Sequence, residues 1–395
     1  MSKPQIKEPN PRARLTLNEL AKVQSIAAKH ITFSLTLACP LKCAHCIVGA
    51  GPDKGYTTMP VEVARNYAAQ MPALYAHGIR YISFTGGEPL LARAQLRILS
   101  TAAAEAGMEC GVVTAAHWAT GESITRRVVE SFPGIHLWDL SVDAYHSNFV
   151  SLEKIRIAHQ AIKSLGRCAS LRFTYHDPLT DEDREILKFL GTFAEESEIF
   201  SQKIRKAGRG KDLGIPDSHK FHPWRKPCIT QGMVVRYDGS LGPCCISLVE
   251  ERRHPFQLGD ARNRPLTEIH THYMSLPLLQ LIRLIGFMEV MQWLEEADLN
   301  KELPGSLPDD VCDLCPMLFT NPRITEYLTN RVAKPENRLR IAVLASRLLG
   351  EHQMLQRTVR ELREGASEIE GFELAAALAV QPDWDGITLA SGATQ

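Results

Sequence analysis

The chain has 395 residues, 44% of them apolar and 23% charged, with 45 basic residues balancing 45 acidic ones. That composition excludes a disordered or fibrous chain, and the zero net charge excludes a global field that would draw the protein to nucleic acid or an anionic membrane. A chain of this length is expected to hold one large domain and one or two smaller modules.

Residues 1–29 form an N-terminal extension without the apolar core of a secretory signal, so a cytoplasmic location is expected. From residue 30 to 210, short runs rich in β-branched residues alternate with longer segments of helical period, the βα rhythm of a parallel sheet. Strands are predicted at Ile31–Leu37, Arg80–Thr85, Glu109–Thr114, His136–Ser141, Ser170–Tyr175 and near Ser201–Lys206. Helices are predicted at Pro60–His77, closed by Gly78, and at Pro89–Ala106, closed by Gly107. About six βα units are too few for a closed eight-stranded barrel, so the expected fold class is α/β, a partial (β/α)6 TIM barrel open on one side.

After Gly210 the pattern shifts to irregularly spaced Pro, Gly, Trp and Cys, which opens a second module over residues 211–322. Within it, Met233–Arg236 followed by Asp238-Gly239 predicts a small hairpin, because Asp-Gly supplies the positive φ of a tight turn. The apolar stretch Leu276–Leu294 contains Arg283 and Glu289, each expensive at membrane depth, and is read as a buried helix. Residues 323–395 read as a helical tail, with helices at Glu336–Leu349 and Glu351–Glu364 and a frayed end from Thr388 to Gln395.

Ten cysteines in a reducing compartment point to metal or redox chemistry and away from a disulfide framework. Cys110 and Cys168 stand alone in apolar contexts and are read as core thiols. Cys39, Cys43 and Cys46 form a Cys-x3-Cys-x2-Cys loop directly after the first predicted strand. An iron–sulfur cubane takes four ligands, so three thiolates leave one iron open for a cofactor. The competing readings are a zinc knuckle or a closed cluster with a distant fourth ligand. At the end of the second strand, Thr85-Gly86-Gly87-Glu88-Pro89 offers paired glycines for close backbone approach and a carboxylate that can accept from a cationic amine.

The cysteine loop and this glycine-rich turn together resemble the radical S-adenosylmethionine (SAM) superfamily over most of residues 30–210. The resemblance implies that the open iron of a 4Fe–4S cluster chelates the SAM amine and carboxylate, and that reduction yields a 5′-deoxyadenosyl radical that abstracts hydrogen from substrate. It assigns Gly86, Gly87, Glu88 and Pro89 to the SAM amino group, and Thr114, Ser141 and Asp143 to its ribose or carboxylate, although Thr114-Ala-Ala replaces the family's commoner Thr-Asn-Gly. His45 is read as packing and not as a ligand. His117 and Trp118 either line the substrate cavity or belong to a surface loop. Arg209, in Ala-Gly-Arg-Gly, is either the family's turn before the extension or an exposed arginine.

Cys228, Cys244 and the pair Cys312-Asp-Leu-Cys315 resemble the auxiliary-cluster extensions called SPASM and twitch domains, as does the segment Leu258–Ile269. No cysteine follows Cys315, so one auxiliary 4Fe–4S cluster of twitch type is expected, with the spacing from Gly239 favouring Cys244 over Cys245. A structural zinc site is the alternative. These resemblances imply an oxidoreductase that dehydrogenates or cross-links a ribosomally synthesised peptide, served by an external electron donor such as flavodoxin or ferredoxin and by a separate leader-peptide recognition protein. A dehydrogenase of a small metabolite, aminoglycoside or nucleoside in type, is the second reading. A non-catalytic iron–sulfur redox protein is the third.

Overall fold

The computed structural model describes residues 6–10, 15–215, 226–230, 232–244, 253–305, 307, 308 and 310–365. The chain enters through α1 (Leu17–Ala28), whose N-terminus is closed by a reciprocal capping box between Thr16 and Glu19. Six strands then alternate with helices: β1 (His30–Ser34), β2 (Tyr81–Thr85), β3 (Glu109–Thr114), β4 (Leu137–Val142), β5 (Cys168–Tyr175) and β6 (Ile199–Lys203). All six are parallel and lie in the order β6-β5-β4-β3-β2-β1. The connecting helices are α2 (Val61–Ala68), α3 (Met71–His77), α4 (Arg93–Glu105), α5 (Glu122–Glu130), α6 (Ala144–Ser147), α7 (Leu152–Ser164) and α8 (Asp181–Leu190). Helices cover the sheet as βα crossovers require, and Ile31, Phe33, Phe84, Val112, Trp138, Leu171 and Phe173 are fully buried beneath them.

Beyond β6, β7 (Met233–Arg236) joins the free side of β1 in parallel, with Phe33 opposite Val235, and β8 (Leu241–Gly242) returns antiparallel to it. The expected hairpin is present, and it extends the first sheet. β6 and β8 are the sheet's edges, so the barrel is partial and open. The remaining helices are α9 (Leu266–Ser275), α10 (Pro277–Leu284), α11 (Phe287–Glu296), α12 (Val311–Phe319), α13 (Pro322–Val332), α14 (Pro335–Leu349) and α15 (His352–Gly365). Among the described residues no helix is long and apolar enough to cross a membrane.

Three sequence expectations change in detail. The helix expected over Pro60–His77 is two helices, because Pro72 in the first turn of α3 has no N–H to continue the ladder of α2. The helix expected over Leu276–Leu294 breaks at Gly286, whose φ of +106° is open to glycine and whose Cβ would meet the backbone of Lys226 and Pro227 at 3.3 Å. Cys168 is exposed and not a core thiol: it opens β5 on the outward-facing register, its Sγ 3.2 Å from His136 Nε2, whereas Cys110 is buried as expected. The end of the tail, Thr388–Gln395, lies outside the described residues.

Candidate functional site

Past β1 the chain stays extended and turns into the cysteine loop at the C-terminal end of the sheet. The loop closes on itself, Cys39 N–H donating to Gly51 O at 3.1 Å and Gly51 N–H to Leu37 O at 3.1 Å. Cys43 is buried and Cys39 and Cys46 are half-buried. Burial pushes the Cys39 thiol up to about 12, with Glu88, Cys43 and Cys46 adding to the rise. A cation that displaces the thiol proton of Cys39 offsets that cost of burial.

The glycine-rich turn is docked directly on this loop. Gly87 N–H donates to Thr36 O at 2.6 Å and Glu88 N–H to Ala38 O at 2.8 Å. A Cβ on Gly86 would lie 2.2 Å from Thr36 O, and one on Gly87 would lie 2.3 Å from Ala38 O, so only glycine allows this approach. A second brace comes from far along the chain. The Arg209 guanidinium donates to Cys43 O at 3.0 and 2.8 Å and to Ala50 O at 2.7 Å, while its backbone N–H donates to Cys46 O at 3.0 Å. Arg209 is therefore the loop-facing turn and not a free surface arginine.

Glu88 is fully buried, and its carboxylate is filled by donors of the chain itself: Leu90 N–H at 3.1 Å, Ala115 N–H at 3.1 Å and the Thr114 hydroxyl at 2.9 Å. Thr114 in turn accepts from Trp118 Nε1 at 2.9 Å. Thr114 is thus placed as a support for Glu88. Trp118 is buried on Trp138 and is not part of a surface loop. His117 Nδ1 lies 3.4 Å from Glu88 Oε2, close enough for an ion pair but misaligned for a hydrogen bond. Pro89 opens the 3-10 turn that Glu88 caps.

Ser141 and Asp143 sit at the end of β4, with Ser141 half-buried and paired in register with Arg172. Asp143 is buried and caps α6 by accepting from Tyr145 and His146 N–H, both at 2.9 Å. Its other oxygen takes His146 Nδ1 at 2.7 Å and lies 3.3 Å from His45 Nε2. Burial alone would raise this carboxyl, yet His146 and His45 hold it well below the usual carboxylate range. The ligand atoms of His45, Asp143 and His146 lie within 4.8 Å of one another. Hydrogen bonding between them accounts for that proximity. His45 does pack, as expected, stacked on Tyr145 at 4.8 Å, and has Asp143 as a polar partner as well.

The second cysteine set is also gathered. Cys228 precedes β7, Cys244 follows β8, and Cys312 and Cys315 lie in the first turns of α12, where the N-terminal dipole favours thiolate. Asp310 caps that helix, accepting from Cys312 N–H at 2.7 Å and from Arg205 Nη1 at 2.8 Å. Burial pushes Cys228 up to about 12 and raises Cys312 and Cys315 as well, and each of the three also feels the charge of Cys244. Cys245 lies outside the described residues. Tetrahedral zinc would hold its thiolates about 3.8 Å apart. The same four thiolates would serve either that ion or a larger iron–sulfur group.

The donor chemistry of both sets, buried or half-buried cysteine thiols, fits iron–sulfur ligation. Sequence reasoning missed the Thr114–Glu88 support, the Asp143–His146 pair and the Arg205–Asp310 link. Only the second had a local signal, an Asp-x-x-His spacing after a predicted strand.

Residues 33–190 match the radical SAM superfamily, and residues 228–276 match SPASM, an iron–sulfur cluster-binding domain. No curated protein sequence matches the chain. Similar solved structures include BtrN in complex with AdoMet and 2-DOIA, at 13% identity over 65% of this chain and 87% of that one, with a TM-score of 0.38. Native anSMEcpe with bound AdoMet is 16% identical over 76% of this chain and 99% of that one, with a TM-score of 0.47. HydG, a maturase of FeFe-hydrogenase, is 12% identical over 90% of this chain and 88% of that one, with a TM-score of 0.35. The cofactors that go with the two matched families are a 4Fe–4S cluster, SAM and an auxiliary iron–sulfur cluster. The partial barrel thus carries the radical SAM superfamily match over residues 33–190, and a SPASM iron–sulfur match follows it over residues 228–276.

Proposed function

We propose that this protein is a radical SAM oxidoreductase that oxidatively modifies a ribosomally synthesised peptide, by dehydrogenation or cross-linking. The observation that supports it most is the docking of the glycine-rich turn on the cysteine loop, which brings Cys39, Cys43, Cys46 and the buried Glu88 to one end of the sheet. When bound, the cluster supplies the electron that cleaves SAM and so generates the radical that attacks substrate.

The chain's own residues divide the remaining work. Cys39, Cys43 and Cys46 hold three irons, and Arg209 keeps their loop in place. Gly86, Gly87, Glu88 and Pro89 bind the SAM amine, with Thr114 holding the Glu88 side chain oriented. Ser141 and Asp143 contact the ribose or carboxylate from the end of β4. Cys228, Cys244, Cys312 and Cys315 hold the auxiliary cluster. A peptide is favoured as substrate because the extension resembles those of peptide maturases, and flavodoxin or ferredoxin is the proposed electron donor.

The test is anaerobic reconstitution, reduction and addition of SAM, with 5′-deoxyadenosine quantified against the Cys39→Ala/Cys43→Ala/Cys46→Ala variant. Formation by the native protein alone supports radical SAM chemistry. Equal, negligible formation under conditions in which a control radical SAM enzyme turns over would refute it. Peptide specificity is then read from isotope transfer into 5′-deoxyadenosine from a deuterated peptide. Transfer from a deuterated sugar or nucleoside instead would replace the peptide by a small metabolite.

A further inference from the structure

Arg283, one residue from the C-terminus of α10, is 0% exposed. Every partner of its guanidinium is neutral. Nε donates to Gln24 Oε1 at 3.1 Å, Nη1 to Gln280 Oε1 at 3.2 Å and Nη2 to Gln24 O at 3.3 Å. Nη1 also approaches Met274 Sδ at 3.7 Å, and the Tyr273 ring lies 5.7 Å from Cζ. Among the described residues no carboxylate comes within ion-pair distance of it. Glu351 feels its charge only through space, and burial there raises the carboxyl. A fully buried cation without an anion is strongly destabilising.

The same residue is strapped to the second cysteine set. The Gln24 amide donates to Arg283 O at 2.8 Å and to Cys228 O at 2.7 Å, while Cys228 N–H donates to Ile282 O at 2.7 Å. Its positive charge acts on Cys228 against the upward push of burial. Arg205 also acts on Cys228 and Cys312, but its charge is already matched by Asp310 at 2.8 Å. Among the described residues no carboxylate pairs with Arg283, so its buried charge is left for something else to balance.

We propose that Arg283 is the countercharge of the auxiliary iron–sulfur site: the four thiolates with their cluster balance its buried charge, and it raises the reduction potential of that site. The inference rests on reading Cys228, Cys244, Cys312 and Cys315 as the auxiliary ligands. It assigns Gln24 and Gln280 the task of aiming the guanidinium, since both are buried and both accept from it. An added electron is stabilised by a nearby cation in a low dielectric, so removing or neutralising that cation makes reduction harder.

The experiment is an EPR-monitored potentiometric titration of the reconstituted full-length protein. The auxiliary signal is first isolated in the Cys39→Ala/Cys43→Ala/Cys46→Ala background. Arg283→Gln removes the charge, and Gln280→Glu keeps Arg283 but sets a carboxylate at Nη1. Both are expected to shift the auxiliary midpoint to more negative potential by about 59 mV or more, a tenfold change in the oxidised-to-reduced ratio for one electron. Arg283→Lys is expected to keep most of the native midpoint, and, with Cys39, Cys43 and Cys46 restored, the midpoint of the SAM-binding cluster is expected to stay in place in all three variants. A native-like auxiliary midpoint in either Arg283→Gln or Gln280→Glu, with full iron content, overturns the proposal. A shift in Arg283→Lys as large as in Arg283→Gln overturns it too, because shape would then matter and charge would not. If Arg283→Gln does not fold, Gln280→Glu decides. A triple-cysteine variant that retains no iron after reconstitution would instead sink the auxiliary-site reading itself.

Discussion

Replacing Arg209 by Ala removes the brace that the end of the barrel sends back to the cysteine loop. Three side-chain hydrogen bonds go, but they serve two acceptors, Cys43 O and Ala50 O, while the backbone bond to Cys46 O survives. A hydrogen bond from a charged donor contributes about 1.5 kcal/mol at the low end, the appropriate end for a half-buried side chain. Two acceptors give about 3 kcal/mol, or about a hundredfold in the ratio of ordered to disordered loop. The assay is anaerobic iron loss to a chelator, followed through the SAM-dependent EPR signal of the reduced cluster so that the auxiliary site does not contribute. Arg209→Ala is expected to lose that signal at least tenfold faster than the native protein. Arg209→Lys should fall between them, because a point ammonium cannot fork to two carbonyls. An Arg209→Ala protein that loses the signal at the native rate would show that the brace does not hold the loop.

Glu88→Gln places an amide nitrogen against either Leu90 N–H or Ala115 N–H, each of which now donates to a carboxylate oxygen. It is expected to lose about 1–3 kcal/mol of stability in urea unfolding, and at least tenfold in SAM affinity by equilibrium dialysis. Native SAM affinity in this variant would remove Glu88 from the SAM site. His270 is buried against Ala28 O and His77, and burial, with His77 adding, pushes it down to about 4. Between about pH 4 and 6.5 the unfolded chain holds a proton there that the folded chain does not. Its contribution to stability is therefore complete above pH 6.5 and is lost as pH falls towards 4, up to about 3 kcal/mol at the acid end. Urea midpoints at pH 7.5 and 5 should fall more steeply for the native protein than for His270→Gln, and parallel slopes would contradict the assignment.

The six barrel strands were legible because each is a short β-branched run bounded by turn residues, and the sheet buries both faces of β1. The cysteine loop and Gly86-Gly87-Glu88-Pro89 were legible as motifs. What the sequence hid was their support. Arg209, left open by its Ala-Gly-Arg-Gly pattern, reaches Cys43 across 166 positions, and Arg283 reaches Gln24 across 259 with no local pattern to announce it. Thr114 looks the same in sequence whether it faces a ligand or, as here, props up Glu88 from the neighbouring strand. Cys168 was misplaced because hydrophobic neighbours describe a strand without saying which of its two faces is covered. The break at Gly286 was masked by apolar periodicity that continues through both α10 and α11.

The parallel pairing of β7 with β1 has a bearing on electron flow. The loop carrying Cys39 leaves the end of β1, and the hairpin that delivers Cys244 is hydrogen-bonded to that same strand through Phe33 and Val235. One cysteine of each proposed site, Cys39 and Cys244, therefore hangs from neighbouring strands of one sheet, and backbone register governs how far apart those two anchors lie. Tunnelling between them would run over a distance that side-chain motion or substrate docking barely alters, so turnover could gate the substrate without retuning the wire.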